Sequence, residues 1–293
     1  MTIAEWEQKG TYAEILGMRV FYYDSDSMKP PLVILHGYPT CSWDYVKVLP
    51  MLERHFRVIV HDHPGFGLSD KPSDYSYSLI DQTDVALLLW QKLNLTRAQV
   101  LAHDYGTSIA TELIARHHRE LLPMDLTGVL LANGSMHIEL SQLRPIQKLL
   151  MHKRWGPTVA KLASFSTFQR NMRKIGYRPD YLTMEELESL WQLLIAKGGR
   201  EALPKLTQYI RERSQFWHRW IGSLQQTQLP IQILWATEDP VAVAKMATVL
   251  HDEIPHSQLK LLDQLGHYPM LEDPDRWGRA ALEMMLAPTP NLS

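Results

Sequence analysis

The sequence is poor in cysteine, in clustered positive charge and in long apolar runs. Among its 293 residues, Cys41 is the only cysteine, which excludes an intrachain disulfide and a metal site built from several thiolates. We expect Cys41 to be a buried free thiol without a catalytic role. The formal net charge is −2, and the lysines and arginines are scattered along the chain. We therefore expect no nucleic-acid partner.

We also expect no targeting signal. The first seven residues include two acids, Glu5 and Glu7, where a signal peptide needs basic residues followed by an apolar run. No apolar stretch is long enough to span a bilayer, and there are no repeats or low-complexity segments. We expect a cytoplasmic protein without a membrane span, a metal or a cofactor, and the sequence gives no indication of its oligomeric state.

Apolar strands alternate with helical patterns along most of the chain. Two short strands at 11–17 and 18–24 predict an antiparallel start, and the uninterrupted apolar runs that follow are typical of parallel strands buried on both faces. This alternation predicts an α/β protein with a mostly parallel, doubly wound sheet. Three helices among these strands are predicted at about 42–54, 78–93 and 107–117.

The alternation stops between 135 and 229, where only helical patterns remain. One helix there should begin at Thr183, because Glu186 three residues later completes a capping box. We therefore predict a core domain formed by residues 1–134 and 230–293. The intervening helical segment, residues 135–229, should form a cap (lid) domain inserted between two strands of the sheet.

The stretch from Val100 to Ala110 combines the end of an apolar strand, a single acid and the start of a helix. The acid, Asp104, lies at the turn, and Ala102 and Gly106 supply the small neighbours that a strained strand-to-helix turn needs. This is the pattern of a nucleophile elbow with a carboxylate in place of the usual serine. Taken alone, the stretch fits almost as well an aspartate that caps the following helix.

Two later strands end in titratable residues that favour the catalytic interpretation. Asp239 follows the strand at 231–235, and His267 follows the strand at 259–262. The carboxyl ends of strands in an open α/β sheet lie along one edge, so Asp104, Asp239 and His267 should converge there. Their order along the chain is nucleophile, acid and histidine, which is the order that accompanies this kind of elbow.

These residues resemble the Asp-nucleophile branch of the α/β-hydrolase superfamily, which includes epoxide hydrolases and haloalkane dehalogenases. The resemblance extends over nearly the whole chain. Within this branch, the sequence is similar in particular to the mesoderm-specific transcript family. It implies an α/β-hydrolase fold with a helical cap between strands. The motifs that carry it are 36–40, Asp62 with Gly65, Gly67 and Ser69, 102–106, 208–210, 219–222, Asp239, 267–269 and 271–274.

The resemblance also implies a two-step reaction. Asp104 would attack an electrophilic carbon and form an alkyl-enzyme ester, and His267, held by Asp239, would activate the water that hydrolyses this ester. The oxyanion of the second step needs fixed donors, and the matching positions are the backbone N–H groups of Tyr38 and Tyr105. The partners are therefore expected to be a small-molecule substrate and water.

The electrophile decides which activity the resemblance implies. Epoxide hydrolases protonate the alkoxide from lid tyrosines, and Tyr209 lies in a segment similar to the one that carries such a tyrosine. A second lid tyrosine is usual in these enzymes, and here its place is either empty or taken by Tyr177 or Tyr181. Haloalkane dehalogenases hold the halide with N–H donors, commonly an indole directly after the nucleophile. That position is Tyr105 in this chain, so Trp155 of the lid would have to substitute.

We predict a hydrolase that resembles an epoxide hydrolase and acts on a small apolar substrate, with haloalkane dehalogenase as the alternative. Trp155 and Tyr177 are predicted to line the substrate pocket. His36 should also lie there, where it would fix its loop and not react. The alternative from another class is a non-catalytic binding protein on the same fold. The complete set of nucleophile, acid and histidine favours an enzyme, because a binding protein does not need a base held by an acid.

Overall fold

The computed structural model describes residues 1–287, and its centre is a single eight-stranded sheet. The strands are β1 (Thr11–Ile15), β2 (Met18–Asp24), β3 (Pro31–Leu35), β4 (Arg57–His61), β5 (Arg97–His103), β6 (Asp125–Ala132), β7 (Ile231–Ala236) and β8 (Gln258–Leu262). Their order in space is β1-β2-β4-β3-β5-β6-β7-β8. The β1–β2 and β2–β4 pairs are antiparallel and the others are parallel. The predicted mostly parallel α/β sheet is thus confirmed.

Helices cover both faces of the central strands, which explains why the interiors of these strands are mainly apolar. The register pairs Leu35 of β3 with Ala102 of β5, and His103 of β5 with Ala132 of β6. The carboxyl ends of neighbouring strands therefore meet at one edge of the sheet. The residues that follow β3, β5, β6 and β7 are brought together at this edge.

The helices follow the strands in the expected alternation. In chain order they are α1 (Ile3–Lys9), α2 (Leu49–Leu52), α3 (Leu79–Lys92), α4 (Tyr105–His117), α5 (Pro145–Leu150), α6 (Gly156–Lys161), α7 (Phe165–Ile175), α8 (Met184–Ile195), α9 (Gly199–Leu206), α10 (Tyr209–Gln215), α11 (Trp217–Gln226), α12 (Ala244–Glu253), α13 (Pro269–Glu272) and α14 (Pro274–Leu286). Within residues 1–287, none of these helices has both the length and the apolar character needed to cross a bilayer.

The prediction of one helix over 42–54 is wrong. The chain forms a 3-10 turn at Ser42–Tyr45 and then the separate short helix α2. Pro50 has no N–H with which to continue the first turn, and it fits the first turn of a new helix instead. Sequence patterns also missed α1, because this helix buries only Trp6 and so has no apolar stripe.

The segment between β6 and β7 contains α5 to α11 and two 3-10 turns. The predicted capping box is confirmed, since the Thr183 hydroxyl accepts the Glu186 N–H at 3.2 Å and the Glu186 carboxylate accepts the Thr183 N–H at 2.9 Å. The division into a core and a lid domain remains a prediction, and positions 288–293 of the predicted core lie outside the described residues.

Candidate active site

Asp104 occupies the turn between β5 and α4 with φ 47° and ψ −107°. This conformation costs roughly 1–3 kcal/mol for a residue with a side chain, so the surrounding structure must hold it. Gly106 is needed close by, because a Cβ at that position would lie 2.2 Å from the carbonyl oxygen of Leu35. The side chain of Asp104 makes no capping hydrogen bond to α4. The turn has the geometry of an elbow, and the helix-cap alternative is wrong.

The two carboxylate oxygens of Asp104 have different neighbours. Oδ1 accepts the backbone N–H of Tyr38 at 2.8 Å, and Oδ2 lies 3.6 Å from Nε2 of His267. The other predicted backbone donor, Tyr105, is the first residue of α4 and follows Asp104 directly. The fold thus places the Tyr38 N–H and the His267 ring at the two oxygens of one buried carboxylate, and Tyr105 is the next residue in the chain.

His267 lies between two acids. Its Nδ1 is 2.7 Å from Oδ2 of Asp239, and its ring is almost completely buried. Burial alone lowers the pKa of His267, but the charge and hydrogen bond of Asp239, together with the charge of Asp104, raise it above the usual 6.5. The Asp239 contact leaves Nε2 on the side that faces Asp104. This is the arrangement that a general base next to a nucleophile requires.

Asp239 is itself held on several sides. Its Oδ1 accepts the N–H groups of Val241 at 2.7 Å and Ala242 at 3.0 Å. Its Oδ2 accepts the side-chain N–H of Asn133 at 2.9 Å in addition to the bond with His267. Since both oxygens are fixed, Asp239 has one orientation in which to hold the histidine.

Tyr268 connects the histidine loop to the loop of Tyr38. Its hydroxyl donates to the carbonyl oxygen of Tyr38 at 2.8 Å and accepts from the Thr40 hydroxyl at 3.3 Å. The Thr40 hydroxyl also lies 2.5 Å from the buried carboxyl group of Asp44. Tyr38 is therefore held at both of its backbone groups. Its N–H contacts Asp104, and its carbonyl oxygen accepts from Tyr268, the residue next to His267.

Tyr209 packs against Tyr38 and Tyr105 near Asp104, although it is not among the residues that line the adjacent cavity. Its hydroxyl accepts the side-chain N–H of Gln147 at 3.0 Å, and its ring packs 5.7 Å from that of Tyr38, centre to centre. Burial and the charge of Asp104 raise the pKa of Tyr209, so its phenol stays protonated at neutral pH. The guanidinium of Arg213 lies 4.6 Å from the centre of the Tyr209 ring.

Arg213 is a buried cation directly behind the elbow. Its Nε donates to the Ser108 hydroxyl at 2.8 Å, and its Nη2 donates to the carbonyl oxygen of Asp104 at 3.2 Å. These bonds join α10 to the elbow and the first turn of α4. Arg213 therefore links the segment between β6 and β7 to the backbone of Asp104.

A cavity of about 350 Å³ adjoins Asp104 and His267, and this volume is within the range of small-molecule sites. Tyr38 also lines it, and most of the remaining wall comes from α5 to α9. The apolar residues of that wall include Ile146, Leu150, Phe168, Met172, Trp191 and Leu194. The cavity thus offers an apolar environment that ends at the carboxylate and the imidazole.

The structure does not place the three predicted pocket residues on this cavity. His36 is fully buried, where its Nε2 accepts the N–H of His63 at 3.0 Å and its ring packs on that of Phe66. It fixes the loop after β3 as expected but lies outside the cavity lining. Trp155 and Tyr177 are 55% and 46% exposed, because each lies at a junction between helices that faces outward. The prediction that His36, Trp155 and Tyr177 line the pocket is therefore wrong for this cavity.

Three residues around the site were missed by sequence reasoning. Asn133 directly follows β6, so it carried the same signal as Asp104 and Asp239, a polar residue at the end of a buried strand. Tyr268 is adjacent to His267, but nothing in the sequence shows that its hydroxyl reaches the Tyr38 carbonyl. Arg213 had no signal, because it lies in a polar helix whose neighbours give no indication of burial.

Comparison with known proteins agrees with this architecture. Residues 30–274 match the model of the α/β-hydrolase fold family. The chain is 35% identical to LipZ of Mycobacterium tuberculosis over 285 residues, which cover 97% of this chain and 98% of LipZ. It is 33% identical to the mesoderm-specific transcript protein of Mus musculus over 281 residues, covering 92% of this chain and 83% of that protein.

A solved structure shows the same fold at lower identity. The epoxide hydrolase CorEH superposes with a TM-score of 0.77 and 18% identity, covering 94% of this chain and 98% of that chain. The predicted resemblance, including that to the mesoderm-specific transcript family, is therefore confirmed. From its sheet, its family match and its relatives, this chain belongs to the α/β-hydrolase fold family.

Proposed function

We propose that this hydrolase uses Asp104 as a covalent nucleophile and acts, as an epoxide hydrolase does, on a small apolar substrate. The observation that carries the proposal is the environment of the Asp104 carboxylate, with Oδ1 at the Tyr38 N–H and Oδ2 facing His267 at 3.6 Å. An ionised carboxylate attacks carbon without first losing a proton to a base. The histidine is therefore available to activate water. In this proposal, residues 135–229 act as the lid over the cavity.

In the first step, a carboxylate oxygen of Asp104 forms a bond to one epoxide carbon as the bond between that carbon and the ring oxygen breaks. The electron pair leaves on oxygen as an alkoxide, which takes a proton from the hydroxyl of Tyr209. Two observations support Tyr209: its phenol is neutral, and its bond with Gln147 is one that the hydroxyl accepts. Its proton is therefore not used in that bond.

In the second step, His267 removes a proton from water and the water oxygen attacks Cγ of the Asp104 ester. The negative charge develops on the ester carbonyl oxygen, which the N–H groups of Tyr38 and Tyr105 stabilise. Collapse of this intermediate breaks the bond between Cγ and the alkyl oxygen, and the imidazolium returns its proton to the departing alkoxide. Asp104 is left as a carboxylic acid that carries the second proton of the water, and transfer of this proton to the Tyr209 phenolate restores both groups. Asp239 stabilises the transient imidazolium through the 2.7 Å contact with Nδ1.

The alternative, a haloalkane dehalogenase, would use the same two steps with a halide as leaving group. The halide would need N–H donors at the cavity wall. Tyr105 has no indole and Trp155 is exposed, but Trp191 lines the cavity and supports this alternative. The epoxide reaction is preferred because the buried phenol of Tyr209 lies beside Asp104 and suits a strongly basic alkoxide.

Trapping the ester tests the proposal. His267→Gln should remove the base but leave the nucleophile, so a reactive epoxide should add its full mass to Asp104 and the adduct should persist. Asp104→Ala should give no adduct, and a haloalkane in parallel should separate the two electrophiles. The measurement is intact-protein mass followed by peptide mapping. An adduct on Ser108 or Cys41 instead of Asp104 would overturn the mechanism.

A further inference from the structure

One charged side chain of the cavity takes no part in the steps above. Arg144, the residue before α5, lines the cavity whose wall also contains Asp104 and His267. Its Nε is buried and makes no hydrogen bond. Within residues 1–287, Arg144 forms no ion pair with any carboxylate, that of Asp104 included. The cavity thus contains a cation that the protein itself does not neutralise.

Three other arginines between β6 and β7 have acceptors. Arg219 donates to both oxygens of Glu112 at 2.7 Å, and Arg178 lies 3.9 Å from Glu272. Arg213 binds the Ser108 hydroxyl and the Asp104 carbonyl oxygen. Arg144 therefore differs from these three arginines, because its side chain faces a cavity where theirs meet an acceptor.

The backbone of Arg144 is fixed. Pro145 restricts the preceding residue to extended conformations, and Arg144 has φ −69° and ψ 148°. Its N–H donates to Oε1 of Gln147 at 2.8 Å, while Nε2 of the same side chain donates to the Tyr209 hydroxyl. Through Gln147, the backbone that carries the Arg144 side chain is thus connected to Tyr209, the proposed proton donor.

A guanidinium that is partly removed from water and has no counter-ion is costly, and an incoming anion relieves this cost. The planar guanidinium fork also matches a carboxylate with two parallel hydrogen bonds. We propose that Arg144 binds a carboxylate group at one end of the substrate while an apolar chain fills the cavity. This inference rests on the proposed function, and it narrows the substrate class to epoxides that also carry a carboxylic acid.

The charge balance favours a carboxylate over a more highly charged group. Among the residues that line the cavity, Arg144 is the only arginine or lysine, and Asp104 supplies a negative charge. One guanidinium matches a monoanion, whereas a phosphate dianion would add a second negative charge to the same apolar space. A carboxylate is therefore the acid group that this wall can accept.

Octanoate and octanamide provide a test that needs no reaction, because they have nearly the same shape, differ in charge and contain no epoxide. Calorimetry on the wild type should show octanoate binding ~10-fold or more tightly than octanamide, as a charge-assisted hydrogen-bonded pair provides. Arg144→Gln should bring the two affinities within about 2-fold of each other by lowering that of octanoate. Arg144→Lys should retain part of the preference, since it keeps the charge but loses the fork.

Arg154→Gln is the matched control, because Arg154 is an exposed arginine of the same segment outside the cavity lining, and it should leave both affinities unchanged. Thermal unfolding checks that each variant is folded. Equal binding of octanoate and octanamide to the wild type would overturn the inference, as would octyl phosphate binding more tightly than octanoate. Failure of the ester-trapping experiment with a preserved octanoate preference would instead overturn the proposed function alone.

Discussion

Tyr209 differs from Tyr181, another tyrosine of the helical segment, in how its hydroxyl is used. Tyr181 donates its proton to the carbonyl oxygen of Met172 at 3.1 Å, whereas Tyr209 accepts a hydrogen bond from Gln147. Tyr209→Phe keeps the ring and its packing on Tyr38 but removes the proton donor. We expect epoxide turnover to fall on the order of 100-fold, as for loss of a positioned acid.

Steady-state kinetics on one epoxide and one haloalkane provide the measurement. Turnover of the haloalkane, if present, should change little, because a halide is a weak base. Tyr181→Phe is the control and should stay within about twofold of the wild type for either substrate. Unchanged epoxide turnover in Tyr209→Phe would show that Tyr209 is a packing residue.

The pKa of His267 predicts the pH dependence of the second step. Asp239 and Asp104 together raise this pKa above 6.5, and only the neutral imidazole accepts a proton from water. Hydrolysis of the ester should therefore be fastest on the alkaline side and should fall as the pH drops through the raised pKa. Because esterification removes the charge of Asp104, the midpoint for the ester should lie below that of the free enzyme.

Rapid-quench measurements of the decay of the Asp104 ester would give this profile. In Asp239→Asn the charge that does most to raise the pKa is lost, so the midpoint should move to lower pH and hydrolysis should slow more than ester formation. A decay rate that stays constant from acid to alkaline pH would assign the base to another group.

At the scale of elements, the contact between α4 and α11 is organised by a single acid. The side chain of Glu112 is buried, and it accepts hydrogen bonds from Arg219, from Arg116 at 2.9 Å and from the indole of Trp220 at 2.8 Å. Burial raises the pKa of Glu112, but its arginine partners outweigh this effect and lower it below 4.5. Glu112 therefore connects α11, at the end of the helical segment, to α4.

Glu112→Gln should destabilise the protein by about 1–3 kcal/mol at neutral pH, because it leaves the half-buried Arg219 without a counter-charge and Arg116 with Asp84 as its remaining partner. The difference should be complete above the unfolded pKa of about 4.3 and should shrink as the pH falls through the lowered folded pKa. Denaturant unfolding at several pH values measures this, with the exposed Glu188→Gln as control within about 0.5 kcal/mol. A difference that does not depend on pH would mean that packing, and not charge, stabilises this contact.

Sequence patterns predicted these elements unevenly, for physical reasons. The strands β3, β4 and β6 were predictable because both of their faces are buried, and α8 because its capping box is local. The broken region at 42–54 was not, since its apolar residues suited one helix and only Pro50 indicated the interruption. Local patterns predict an element well when its own residues determine where it ends.

On the scale of the whole molecule, the elbow and the two residues that complete it were predictable because the edge of a parallel sheet gathers strand ends. Arg144, Arg213 and Tyr268 were not, because each depends on where a side chain ends after packing between distant segments. The resemblance around Tyr209 implied a proton donor for the alkoxide, but nothing in the sequence indicated its bond with Gln147. The contacts that the helical segment makes at the site were therefore the part that only the structure revealed.

The distribution of the site along the chain also has a consequence for the order in which it forms during synthesis. Asp104 belongs to the first half of the sequence, while His267 follows β8, the last strand of the sheet. Domains are synthesised and begin to fold from the N-terminus, so the segment that contains Asp104 is synthesised well before His267. On the mechanism proposed above, a chain that lacked His267 would form the ester on Asp104 but would not hydrolyse it, so release of the product depends on the segment that follows β8.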